Sequence, residues 1–300
     1  MRRLPRCLMP QARSRRLADL RGLLLLLASA LVGAAIPAAP TWRAPPGQAL
    51  LLGEVHDNAA QHGLRQQALA ELLAQGDRPA LLMEQFDREQ QAAIDAAVQR
   101  SALLPLAERV TAVLAVGGQS PGWQWDLYRP YIALALQHGL PIVAANVSRT
   151  EARRIVQLGL AATGWQNTVP EDIFRAQTAA IEASHCGQVD AALAARLGRT
   201  QLARDQFMAQ QIERHAARGV VLLAGNGHVR SDIGVPRWLP PELRARSRSV
   251  GFLEPGNDVS VYDSAVLTPA QARTDPCGAM PALRAARSAS SAPVAPAAPR

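Results

Sequence analysis

Four short segments gather the residues able to move protons or hold anions. They are Gly53-Glu54-Val55-His56-Asp57-Asn58, Met83-Glu84-Gln85-Phe86, Ala145-Asn146-Val147-Ser148-Arg149 and Gly225-Asn226-Gly227-His228-Val229-Arg230. Each follows a run of apolar residues. Histidine changes charge near neutral pH, and a neighbouring carboxylate orients its ring for proton transfer. Glu54 and His56 are two apart, so in extended chain they point to one side. Glu54, His56, Glu84 and His228 are therefore the candidate catalytic groups. The same residue types hold a divalent metal where a coordination position stays open. No His-Glu-x-x-His helix occurs in the sequence, and no residue is assigned as a metal ligand.

The elements that must position these groups follow from the apolar periodicity. Ala49 to Leu52, Ala80 to Met83, Leu140 to Ala145 and Val220 to Ala224 read as strands buried on both faces. Arg248 to Leu253 and Val259 to Tyr262 are weaker strand candidates. Asp57 or Asn58 caps a helix carrying Leu64, Ala68, Leu69, Leu72 and Leu73, and Asp87 caps another through about Arg100. Trp123 to Gln137 reads as a helix ending at Gly139. Further helices are expected over Thr150 to Ala162, Pro170 to Ala183, Val189 to Leu197 and Thr200 to Arg218. This alternation predicts an α/β fold, a mostly parallel sheet flanked by helices, with an all-helical subdomain inserted at about 150–218. Ligands in such sheets bind beyond the carboxyl ends of the strands, which brings Glu54, His56, Glu84, Arg149 and His228 to one edge.

Charge and cysteine usage narrow the function classes. The formal charge is +8, but residues 1–40 contribute +6 and residues 281–300 contribute +3, which leaves −1 for the body. No basic stripe remains, so no nucleic-acid partner is expected. All 32 basic residues are Arg. Without Lys there is no Schiff-base lysine and no P-loop lysine. Residues 1–40 combine seven Arg with an apolar run from Gly22 to Ile36 and small residues, the pattern of a secretory signal. The run is short for a membrane span, so no stable transmembrane segment is expected after cleavage. Export to the periplasm or association with an outer membrane is expected. No Cys stands directly after the run, which argues against a lipid anchor. Two cysteines remain beyond the signal, Cys186 and Cys277, and an oxidising compartment favours one disulfide over two free thiols. The domain is expected over 41–280. The Ala/Pro/Ser/Arg-rich tail at 281–300 reads as disordered.

The strand-end segments, with His62, Trp125, Tyr128-Arg129-Pro130, Ser184-His185-Cys186-Gly187, Arg204-Asp205, Met208-Ala209 and Gly234-Val235-Pro236, occur in an order that resembles the ChaN-like haem-binding-uptake proteins. That family belongs to a wider set with the Tiki/TraB-type proteins and the erythromycin esterases. The resemblance implies an α/β core with a helical subdomain and haem held by a dimer in some members. It therefore implies an exported haem-binding protein in iron or haem acquisition, with haem and a second copy of the chain as partners. No Cys-x-x-Cys-His is present, so the haem is non-covalent. Tyr128 is the first-ranked axial ligand and Tyr131 the second, on an aromatic helix face expected to be exposed; the alternative for each is an amphipathic packing residue of that helix. Without Lys, the propionates would use Arg149, Arg230, Arg204 or a His. Met208 is either a lid contact or core. The esterase relatives imply a second mechanism, hydrolysis with His56 or His228 as general base on water, helped by Glu54 or Glu84. Purely structural binding without chemistry is a third reading.

Overall fold

The computed structural model describes residues 42–118, 122–274 and Cys277. The expected signal at 1–40 and the tail at 281–300 lie outside the described residues. The elements run β1 (Ala49–Leu52), α1 (Ala59–Ala74), β2 (Ala80–Asp87), α2 (Gln91–Arg100), α3 (Leu106–Gly117), α4 (Trp125–His138) and β3 (Ile142–Asn146). They continue as α5 (Arg149–Leu158), α6 (Glu171–Ser184), α7 (Ala191–His215), β4 (Val220–Leu223), α8 (Asn226–Val229), α9 (Pro241–Arg244), β5 (Ser247–Leu253) and β6 (Ser264–Leu267).

All six strands pair in parallel, in the order β3-β2-β4-β1-β5-β6. Strand periodicity splits the apolar runs between two faces. Leu50, Leu52, Leu81, Met83, Val221 and Leu223 pack on one face with Leu69, Leu72 and Leu73 of α1 and Ile132 of α4. Leu51, Leu82, Val143, Val220 and Leu222 face the other way, against Met208, Ala209 and Ile212 of α7. Met208 is therefore core. A third cluster, with Ile155, Trp165, Ile173, Leu202 and Phe207, joins α5, α6 and α7 into the helical layer between β3 and β4.

Several local expectations are corrected. β2 runs on to Asp87, so Glu84 lies inside the strand rather than after it. The weak strand at Val259 to Tyr262 is a turn, and the edge strand β6 lies at Ser264–Leu267. The two helices expected around Gly198 are one, because Gly198 is buried against α6 and the helix continues through it. α3 was not anticipated. Asp87 precedes a short 3-10 turn, and the N-cap of α2 is Gln90 rather than Asp87; two other boundary signals hold. Asn58 accepts from the Gln61 N–H at the start of α1, and Gly139 ends α4 at a φ of 64°.

Cys186 and Cys277 form a disulfide with 5.7 Å between their Cα atoms, within the range a disulfide spans. It closes a separation of 91 residues, worth about 4–5 kcal/mol in the chain-entropy treatment. Arg273, a few residues earlier, pairs with Asp57 and Glu254. The segment after β6 is thus tied back over the carboxyl edge of the sheet.

Candidate functional site

Strands β2, β4 and β1 are consecutive in the sheet, and their carboxyl ends bring Glu84, Gly225–His228 and Glu54–His56 together. Glu54 is enclosed. It accepts from the Tyr128 hydroxyl at 2.5 Å and from His56 Nδ1 at 2.8 Å, and it forms an ion pair with the fully buried Arg65. Arg65 also donates to the Leu52 carbonyl at 2.9 Å. His62 lies 3.7 Å from the same carboxylate, and its burial lowers its pKa.

Glu84 accepts from the Gly225 N–H at 2.7 Å and lies 3.4 Å from His228 Nε2. His228 Nδ1 meets Asp205 of α7 at 2.6 Å, and Gln177 of α6 donates to the other Asp205 oxygen at 3.1 Å. Burial alone would push His228 toward its neutral form. The two flanking carboxylates outweigh it and raise the pKa to about 10. Burial also works against the Glu84 carboxylate, but the His228 charge and hydrogen bond hold its pKa well below the usual range. Asp205 rises to about 6, because burial exceeds the pull of His228. His228 is therefore an imidazolium clamped between two acids.

His56 joins the two clusters. A Cβ on Gly225 would lie 3.0 Å from its ring, tight enough that the imidazole would have to shift, so the glycine lets β4 end close to it. Trp123 meets the ring edge-on at 4.7 Å. The His56 side chain is 47% exposed. Its Nδ1 is held by Glu54, which fixes the ring, its Nε2 lies at the Gly225 backbone, and the residue lines a cavity on either side. One cavity, of about 410 Å³, is lined by His56, Glu84, Asp87, Trp123, Asn146, Arg149 and Arg204. The other, of about 460 Å³, is lined by Glu54, His56, Gln177, Gly225, Asn226 and His228. Asn146 Oδ1 is buried at the first cavity without a protein partner.

The four candidate catalytic residues thus meet at one edge, arranged as two pairs. Among the described residues, no group of three or more His, Cys, Asp or Glu side chains is placed to hold a metal ion. Arg149 and Arg204 reach the cavity. Arg230 does not: it pairs with Asp232 at 2.9 and 2.6 Å. The expected exposure of the Trp123–Tyr131 face is corrected. Tyr128 and Tyr131 are 0% exposed, with Tyr128 on Glu54 and Tyr131 donating to the His62 carbonyl at 2.7 Å. Burial raises both phenol pKa values, so both stay protonated. They support the Glu54 cluster from inside.

Sequence reasoning missed Arg65 and left Asp205 without a role. Both carry a readable signal. Arg65 continues the apolar stripe of Ala68, Leu69 and Leu72, and Asp205 interrupts that of Leu202, Ala209 and Ile212. A charge on the core face of a helix requires a buried counter-charge.

Among solved structures, the chain is similar to one described as cofacial heme binding to ChaN of Campylobacter jejuni. The identity is 21%, the TM-score is 0.59, and the match covers 73% of this chain and 86% of that one. The type III effector HopBA1 also matches, at 14% identity and a TM-score of 0.41, over 75% of this chain and 88% of that one. At 21% identity the first of these likenesses speaks for the fold alone. No curated protein matches the sequence. No described helix is long and apolar enough to cross a membrane. The profile described as haem-binding uptake, Tiki superfamily, ChaN matches residues 43–239, most of the folded body, and the chain belongs to that family.

Proposed function

We propose that this protein binds haem non-covalently at the cleft around His56 and serves haem or iron acquisition outside the cytoplasm. One observation carries the reading: His56 is half-exposed, its Nδ1 is committed to Glu54, and its ring lines the cavity. A histidine that binds iron through one ring nitrogen commonly rests its other nitrogen on a carboxylate, which fixes the tautomer and raises ligand basicity. The remaining donors suit the rest of the molecule. Arg149 and Arg204 offer guanidinium groups for propionates, Trp123 offers an aromatic edge, and the unpartnered Asn146 Oδ1 is an acceptor that a bound ligand can satisfy. On this reading His56 would supply the protein's ligand to the iron, and Tyr128 positions the Glu54 carboxylate that orients it.

The Campylobacter jejuni relative binds haem cofacially. The same stacking here takes two copies of the chain apposed across the open cleft. The disulfide suits an exported chain, since such bonds persist in oxidising compartments.

Haemin titration tests the reading. A saturable Soret change is expected in the wild type and in Tyr128→Phe, and its loss in His56→Ala. Light scattering should show the dimer at one haemin per chain and the monomer without it. A signal that survives in His56→Ala and disappears in Tyr128→Phe would restore the tyrosine as ligand. A second reading rests on the same imidazole, which is a carboxylate-oriented base 3.1 Å from where a Gly225 Cβ would stand and close to Glu84. Hydrolysis of an ester or peptide panel by the wild type but not by His56→Ala, unchanged by chelator, would favour it.

A further inference from the structure

A third cavity, of about 420 Å³, lies within the helical layer, between α5, α6 and α7. Its apolar wall includes Val156, Ile181 and Leu197, and its polar wall includes Arg153, Thr200 and Arg204. No carboxylate lines it. Two polar atoms there are buried without a protein partner, Thr200 Oγ1 and Arg204 Nε.

The Thr200 hydroxyl departs from what helix threonines do elsewhere in this chain. Thr111 donates to the Ala107 carbonyl and Thr178 to the Phe174 carbonyl, both at 2.9 Å and both four residues back. Such back-bonding is the default for a threonine inside a helix. Thr200 is also inside a helix and is only 6% exposed, yet its hydroxyl has no partner. A buried hydroxyl in this state costs free energy unless something else accepts from it. Arg204 Nε can only donate. Its guanidinium touches Gln201 through Nη1 at 3.3 Å, and its charge is felt by Asp87 and Asp205, but Nε is not satisfied by either. A ligand atom that satisfies Arg204 Nε must therefore be an acceptor, and a lining with two arginines and no acid favours an anion. The apolar wall calls for a hydrocarbon body attached to it.

The geometry points to a site for an amphipathic carboxylic acid, with its carboxylate on Thr200 Oγ1 and Arg204 Nε and its apolar chain along Val156, Ile181 and Leu197. Arg204 also lines the cleft beside His56, so the two compartments share one cation. The inference does not depend on haem binding, because its probe contains none.

Decanoate titrated into the full chain by calorimetry is the test. Saturable one-to-one binding is expected. Thr200→Val keeps the side-chain shape and removes the donor, and should weaken binding about tenfold. Leu197→Trp fills the apolar wall and should abolish it. Thermal unfolding of both variants confirms that each is folded. Absence of saturable binding in the folded wild type overturns the proposal, as does wild-type affinity in both variants. Titration with and without haemin separates the two sources of a carboxylate. Decanoate bound alongside haemin supports a site of its own, whereas stoichiometric displacement would make a haem propionate the occupant and overturn a separate ligand.

Discussion

Glu54 and Glu84 stand at the same sheet edge, on strands that flank β4, and each has a histidine beside it. Around Glu54, a neutral phenol, an arginine and one nitrogen of His56 share the carboxylate. Among the described residues His56 has no second acid in hydrogen-bond contact, and its half-exposed ring lines the cleft. Around Glu84 the arithmetic is reversed. One histidine serves two acids, Glu84 and Asp205, and both of its nitrogens are committed. The number of carboxylates in reach, rather than position at a strand end, separates a histidine that can meet a ligand from one that holds the fold.

The largest expected effect comes from removing the first carboxylate. Glu54→Ala leaves Arg65 charged, fully buried and without its counter-ion, and should cost about 3–5 kcal/mol in denaturant unfolding. A loss below about 1 kcal/mol would mean that Arg65 finds another partner and that the Glu54 cluster is not structural.

The second cluster is distinguished by its response to pH. His228 has a folded pKa of about 10 against an ordinary 6.5, so the folded state holds its proton more tightly than the unfolded state. Its contribution to stability is complete below about pH 6.5 and is lost as pH rises through about 10. Melting temperatures taken from pH 6 to 10.5 should decline in the wild type and decline less in His228→Gln. Parallel curves would show that the imidazolium contributes nothing.

Smaller effects sharpen the contrast within the Glu54 cluster. Tyr128→Phe removes one hydrogen bond to a carboxylate and should cost about 1.5–3 kcal/mol by chemical denaturation, with haemin binding retained. His56→Ala should change stability least, by under about 1 kcal/mol, because the ring is half in solvent. The same substitution should remove haemin binding. A variant that lost several kcal/mol instead would place His56 with His228, as a structural histidine.

Much of the scaffold was legible in the chain. The apolar runs at 49–52, 80–83 and 220–223 read as strands because a strand buried on both faces must be apolar throughout. Glu54, His56, Glu84 and His228 stood out because a charge at the end of such a run has to be solvated, paired or used. The roles of Tyr128 and Tyr131 were not legible. Their helix is amphipathic, but which face turns inward depends on α1 and the sheet beneath it, and both phenols end in the core. Gly198 misled for a related reason, since packing against α6 holds the helix through a residue that weakens helices in isolation.

By itself, then, the sequence determined that a mostly parallel α/β sheet would carry acids and histidines on its carboxyl edge, since apolar periodicity and strand-end polarity are local properties. Only the tertiary structure decided which acid holds which histidine. Gly225 reaches Glu84 across 141 residues, Tyr128 reaches Glu54 across 74, and Asp205 meets His228 from a helix on the other side of a strand. Hydrogen bonds and charge–charge interactions fall off within a few ångströms, and burial sets their strength. The chemistry of each side chain was therefore fixed by strand order and helix packing.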